Sequence, residues 1–167
     1  MPNIRVWTHI LAAAAMALAA GIACNDNNDH GTTPTGGSLA QVELGAPNGP
    51  VTSGASFNVD VKGRNLGFSV LHATRAHVVL APPIVVDSVD VASGEGSATF
   101  ANGVNGATVD FNFGTIDKNS QASGTIHAHA SLASGTNNVN ATVTAELTSD
   151  EVHAGDADAS VTIVIQQ

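Results

Sequence analysis

Cysteine occurs once in this chain, tryptophan once and tyrosine not at all. A single thiol cannot close an internal disulfide, so the fold must form without a covalent staple. The shortage of Trp and Tyr removes the usual sugar-stacking platforms and the aromatic girdles of a membrane-spanning barrel. Positive charge is scarce too, with Lys+Arg 5 against Asp+Glu 14 in 167 residues. A chain of that balance is repelled by phosphate backbones and by anionic lipid, which excludes nucleic acid as a partner. What is abundant instead is Ala, Val, Gly, Thr, Ser and Asn, a composition suited to short strands joined by tight turns.

The amino terminus reads as processing information rather than fold. Met1 to His9 carries Arg5, and an apolar run follows from Ile10 to Ala23 before Asn25-Asp26 interrupts it. This is the layout of a secretory signal, and the run is short of the roughly 20 apolar residues a spanning helix needs. The sole cysteine ends the run in Gly21-Ile22-Ala23-Cys24. That segment resembles the lipobox of bacterial lipoproteins, which implies cleavage before Cys24 and a lipid on its thiol. The competing reading is ordinary cleavage at Ala17-Leu18-Ala19, which leaves Cys24 as a free thiol near the new terminus. Once Arg5 leaves with the leader, four basic residues (Lys62, Arg64, Arg75 and Lys118) face 14 acidic ones, a net charge of −10. Membrane attachment must then come from acyl chains and not from a basic face.

Asn25 to Gly37 holds no apolar side chain that could pack and is expected to be a disordered tether. The expected division is a signal peptide over residues 1–23, a tether over 24–37 and one domain over 38–167. About 130 residues are enough to bury roughly two thirds of the unfolded surface.

Within that domain the dominant pattern is alternation of apolar and polar residues, which gives a strand one dry and one wet face. It runs through Phe57–Lys62, Val109–Phe113, Ile126–Leu132, Val139–Leu147 and Ala159–Ile165, broken in the last only at Val164. Leu39–Leu44, Ala73–Leu80, Ile84–Val91 and Gly96–Phe100 are less regular strand candidates. Turn signals separate them, among them Gly63-Arg-Asn65-Leu-Gly67, Pro82-Pro83 and Asn102-Gly103-Val-Asn105-Gly106. The prediction is an all-β, antiparallel sandwich of about seven to nine strands, with a closed barrel as the alternative. Phe57, Val59, Phe111, Phe113, Val143, Val161 and Ile163 share the dry parity and are expected to form one core.

The order of motifs Phe57-x-Val59-x-Val61, Asn65-x-Gly67, Ala76-x-Val78-x-Leu80-x-Pro82, Phe111-x-Phe113-Gly114-x-Ile116 and Ala159-x-Val161-x-Ile163 resembles a bacterial surface Ig-like repeat. That family is known as domain of unknown function number eleven. The resemblance spans about Val42 to Ile165 and implies an immunoglobulin-like sandwich used as a spacer or adhesion module, with no reaction.

The chemistry-bearing residues agree with that reading. Neither a Gly-x-Ser-x-Gly elbow nor a usable cysteine nucleophile is present, and the glycines sit in turn segments rather than in a phosphate loop opening a helix. No enzyme is expected. His127 and His129 stand two apart on one wet face and could share Zn²⁺ or Cu²⁺, with His72, His77 or His153 completing the set; two solvated histidines are the competing reading. The loop from Asp150 through Glu151 and Asp156 to Asp158 gathers carboxylates that could hold Ca²⁺, against a solvated acidic turn. No cofactor is expected on balance. The leading expectation is a non-enzymatic, lipid-anchored module of the bacterial envelope, on the periplasmic face or cell surface, that contacts a protein or a glycan. An exported metal-binding protein is the alternative.

Overall fold

The computed structural model describes residues 40–92, 96–153 and 155–167; the expected signal peptide, Cys24 and the expected tether lie outside the described residues. Ten strands follow one another: β1 (Ala40–Gly45), β2 (Val51–Thr52), β3 (Ser56–Asn65), β4 (Leu71–Leu80), β5 (Ile84–Val91), β6 (Ser97–Gly103), β7 (Gly106–Ile116), β8 (Ser120–Ala130), β9 (Val139–Thr148) and β10 (Asp158–Gln166). They form a four-stranded sheet, β1-β3-β8-β5, packed on a six-stranded sheet, β2-β10-β9-β4-β7-β6. Nine strands match the expectation. The tenth, two-residue β2 runs parallel to β10 and is too short to leave a pattern in the sequence. All other pairings are antiparallel.

In immunoglobulin terms the sheets are A-B-E-D and G-F-C-C′-C″, with β2 added beside the last strand. The path through the middle differs, because β5, β6 and β7 occupy the D, C″ and C′ places, the reverse of a variable domain. The chain therefore crosses between sheets after Pro82-Pro83, again before β6, and again between β7 and β8. Two apposed edges, β5 and β6, are joined by Asn102, whose amide donates to Val86 O at 2.8 Å and accepts from Val86 N–H at 2.9 Å. The open ladder groups of the β5 edge are thus occupied at Val86.

The core lies between the sheets and is built from the dry parity. Val59, Phe111, Phe113, Val143 and Ile163 are buried as expected. Phe57 and Val161 are only partly buried. Each lies past the end of a neighbouring strand: β1 pairs β3 no further than Asp60, and β2 pairs β10 only at Ile165 and Gln166. The turn expected at Gly63 is also displaced, since β3 continues to Asn65. Gly63 faces the core, and a Cβ there would come within 3.0 Å of Leu147 Cδ1. This glycine admits a neighbouring side chain and does not turn the chain.

Candidate functional site

The outer face of the four-stranded sheet carries a group of polar side chains paired with one another, and the strand register explains it. Asp60 pairs with Thr125 and Asn58 with His127 across β3 and β8. Thr125 Oγ1 donates to Asp60 Oδ1 at 3.0 Å, and His127 Nδ1 lies 2.9 Å from Asn58 Oδ1. On the other flank, His127 Nε2 reaches Asp90 at 2.9 Å and His129 Nδ1 reaches Asp87 at 2.9 Å. Arg64 closes the far side on Glu43 at 2.6 Å. Alternation alone would send Asp87 and Asp90 to opposite faces. A bulge between Val86 and Ser88 inserts Asp87 as an extra residue, so both carboxylates meet the histidines.

His127 and His129 therefore share a face, as expected, but each is engaged by a different aspartate. Both ring nitrogens of His127 are occupied by side-chain partners, so binding a metal there means breaking one of these contacts. His77 is on the opposite face of the sandwich, 2.6 Å from Asp110. His72 belongs to β4 of the other sheet, and His153 to a loop that joins two strands of that sheet. None of the three joins the pair on β8. Among the described residues no three His, Cys, Asp or Glu side chains converge as a ligand set.

The acidic loop between β9 and β10 is organised by its own hydrogen bonds. Ser149 Oγ accepts the N–H groups of Glu151 and Val152, and Val152 is buried. Glu151 Oε2 accepts the His72 N–H at 2.9 Å, while the Asp150 N–H donates to His72 O. Asp156 Oδ2 accepts the His153 N–H at 3.3 Å. The carboxylates of Glu151 and Asp156 thus fasten the loop to itself and to β4.

Two of these acids titrate away from their ordinary values in opposite directions. Asp158 is raised above 3.8, first by burial and then by the neighbouring charges of Glu146 and Asp156. Its charged form disfavours folding at neutral pH, and that penalty disappears below the ordinary value, where folded and unfolded chains are both protonated. Glu151 is lowered below 4.5, chiefly by the His72 N–H, against partial desolvation and with help from Ser149. Its charged form stabilises the fold above the ordinary value, and the contribution is lost as pH falls through the folded one. Asp158→Asn should raise the melting temperature at pH 7 and Glu151→Gln should lower it. Melting curves at pH 3 should show both differences shrinking.

No family model and no curated protein sequence matches the chain. Solved structures do resemble it. A cohesin module from a Clostridium perfringens family 33 glycoside hydrolase is 12% identical, with a TM-score of 0.55 over 81% of this chain and 98% of that one. The third cohesin of Acetivibrio cellulolyticus ScaC, solved with the ScaB dockerin, is 16% identical with a TM-score of 0.52 over 77% and 98%. A CARDB domain from Pyrococcus furiosus, solved with di-metal ions, is 13% identical with a TM-score of 0.50 over 77% and 88%. At such identities the likeness lies in the fold: this chain is a β-sandwich of the architecture that cohesin and CARDB modules share.

Proposed function

We propose that this protein is a non-enzymatic module of the bacterial cell envelope, held to a membrane by lipid on Cys24, which binds a protein partner. The observation that carries the binding reading is the outer face of the β1-β3-β8-β5 sheet. Glu43, Arg64, Asp60, Thr125, His127 and Asp90 stand there with their geometry already set by mutual contacts. Side chains held in place before association lose little conformational freedom on binding, and paired charges on a flat face select a partner by complementary charge. Two cohesins of the same architecture, from Clostridium thermocellum and Acetivibrio cellulolyticus, were solved with dockerins, which supports a protein as the partner. The position of Cys24 after its apolar run supports the anchor.

Cells that produce the wild type and Cys24→Ser, each with a photo-cross-linking residue at Ser123 or Thr144, test both parts. Wild type should fractionate with membranes and Cys24→Ser should not. A discrete cross-linked species should form from Ser123, on the four-stranded face, and not from Thr144 on the opposite face. Identical fractionation removes the anchor, and cross-linking from Thr144 alone removes the assigned face.

A further inference from the structure

Phe68 is 88% exposed, although most large apolar side chains among the described residues are buried, and Leu66 beside it is 41% exposed. Both belong to the loop that joins β3 to β4, which is held rigidly from below. Asn65, 1% exposed, donates from its amide to Ser69 O at 2.7 Å and to Ile116 O at 3.0 Å. Its Oδ1 accepts the Gly67 N–H at 3.0 Å. Three bonds from one buried side chain fix both ends of the loop and lift Phe68 into solvent. Phe68 and Leu66 together place exposed apolar surface on this one loop.

The direction in which the chain enters the domain identifies what that surface meets. Ala40 pairs with Asn65, so the first described residue stands at the end that carries Phe68. If Cys24 is acylated, as proposed above, this end is leashed to a bilayer. Fully extended, residues 25–39 span at most about 50 Å, while strands of ten or eleven residues make the sandwich roughly 35 Å long. The Phe68 end can rest on the bilayer with the leash slack, whereas the far end reaches it only with the leash stretched to roughly two thirds of its full length, at a cost in chain entropy. Leashing also turns a weak encounter into an intramolecular one at high effective concentration.

We infer that the Leu66–Phe68 loop is a second membrane contact, which seats the anchored domain on the lipid bilayer at its Phe68 end. Asp117 and Glu151 line the same groove as Phe68, and Lys118 offsets only one of the two charges. The contact therefore favours uncharged headgroups over anionic ones, because the chain's net negative charge is repelled by the latter. Seated in this way, the domain points its β6–β7 hairpin away from the bilayer and leaves both sheet faces open at the sides.

The only tryptophan is Trp7, in the leader, so a single reporter can be placed at will. In a Trp7→Phe background, Phe68→Trp is compared with Val104→Trp, a position of similar exposure at the opposite end. Each protein is placed on phosphatidylcholine vesicles that contain brominated acyl chains in two ways. In one, it is purified from the membranes of producing cells; in the other, the unacylated chain is coupled through Cys24, its only thiol, to a maleimide phospholipid. Emission from the Phe68→Trp protein should shift to the blue and be quenched, emission from the Val104→Trp protein should not, and added phosphatidylglycerol should weaken the effect. Quenching at neither position, or equally at both, overturns the inference, and a protein partner becomes the occupant to seek for the loop. Absence of membrane-bound protein from cells overturns the anchor alone, because the coupled form still reports on the contact.

Discussion

Phe111→Ala is expected to cost about 3–5 kcal/mol of a total stability near 5–15 kcal/mol, and to lower the melting temperature by roughly 10–20 °C. Phe111 is 1% exposed and is the largest of the fully buried side chains. Its ring stacks on Phe113 at 5.5 Å between centroids and 12° between planes. The substitution removes that contact together with the apolar area, and leaves a cavity that two ladder-bonded sheets cannot collapse to fill. Thr144→Ala, on the wet face of β9, should change the midpoint little. Thermal and denaturant unfolding of the two variants side by side checks the register, and equal losses would show it to be wrong.

Gly124→Ala is the companion experiment and should cost about as much as overpacking usually does at its upper end, near 3 kcal/mol. Gly124 occupies a dry-face position in β8, where a Cβ would overlap Phe111 Cε1 and lie 2.7 Å from Cδ1. The backbone oxygen of Asp90 stands 2.9 Å away as well, and backbone cannot give way as a flexible side chain can. In a Phe111→Ala background the ring is gone and the two tightest of these three contacts go with it, leaving the Asp90 oxygen. The double variant should therefore be more stable than the sum of the two single losses predicts, by about 1 kcal/mol or more. Strict additivity in a double-mutant cycle would mean that the ring does not occupy the space above Gly124.

The same pair of residues shows where reading along the chain succeeds and where it stops. Phe111 was legible as core because its neighbours Asp110 and Asn112 are polar and a strand repeats every two residues. Gly124 carried no such signal, since Ser123-Gly124-Thr125 reads equally well as a turn. Only the opposing sheet shows that a ring needs the space. Gly63 was placed in a turn for the same reason and is in fact a point of close approach. Asn65 was legible as a turn residue, but its burial and its bond to Ile116 O join positions 51 residues apart.

The amino-acid sequence by itself determined the class of this fold and the dry parity of its strands. Those depend on local periodicity, and alternation puts Val59, Phe111, Val143 and Ile163 on the dry faces of their strands. It also placed His127 and His129 on one wet face, because two residues along a strand is one full period. The tertiary structure decided what those histidines do. Asp87 and Asp90 reach them only because a bulge reverses the parity of β5, and because β5, not β6 or β7, lies beside β8. It likewise brought the chain's entry point at Ala40 beside Phe68, through the pairing of β1 with β3. Strand order and register are set by long-range packing between segments, and no short stretch of sequence carries that information.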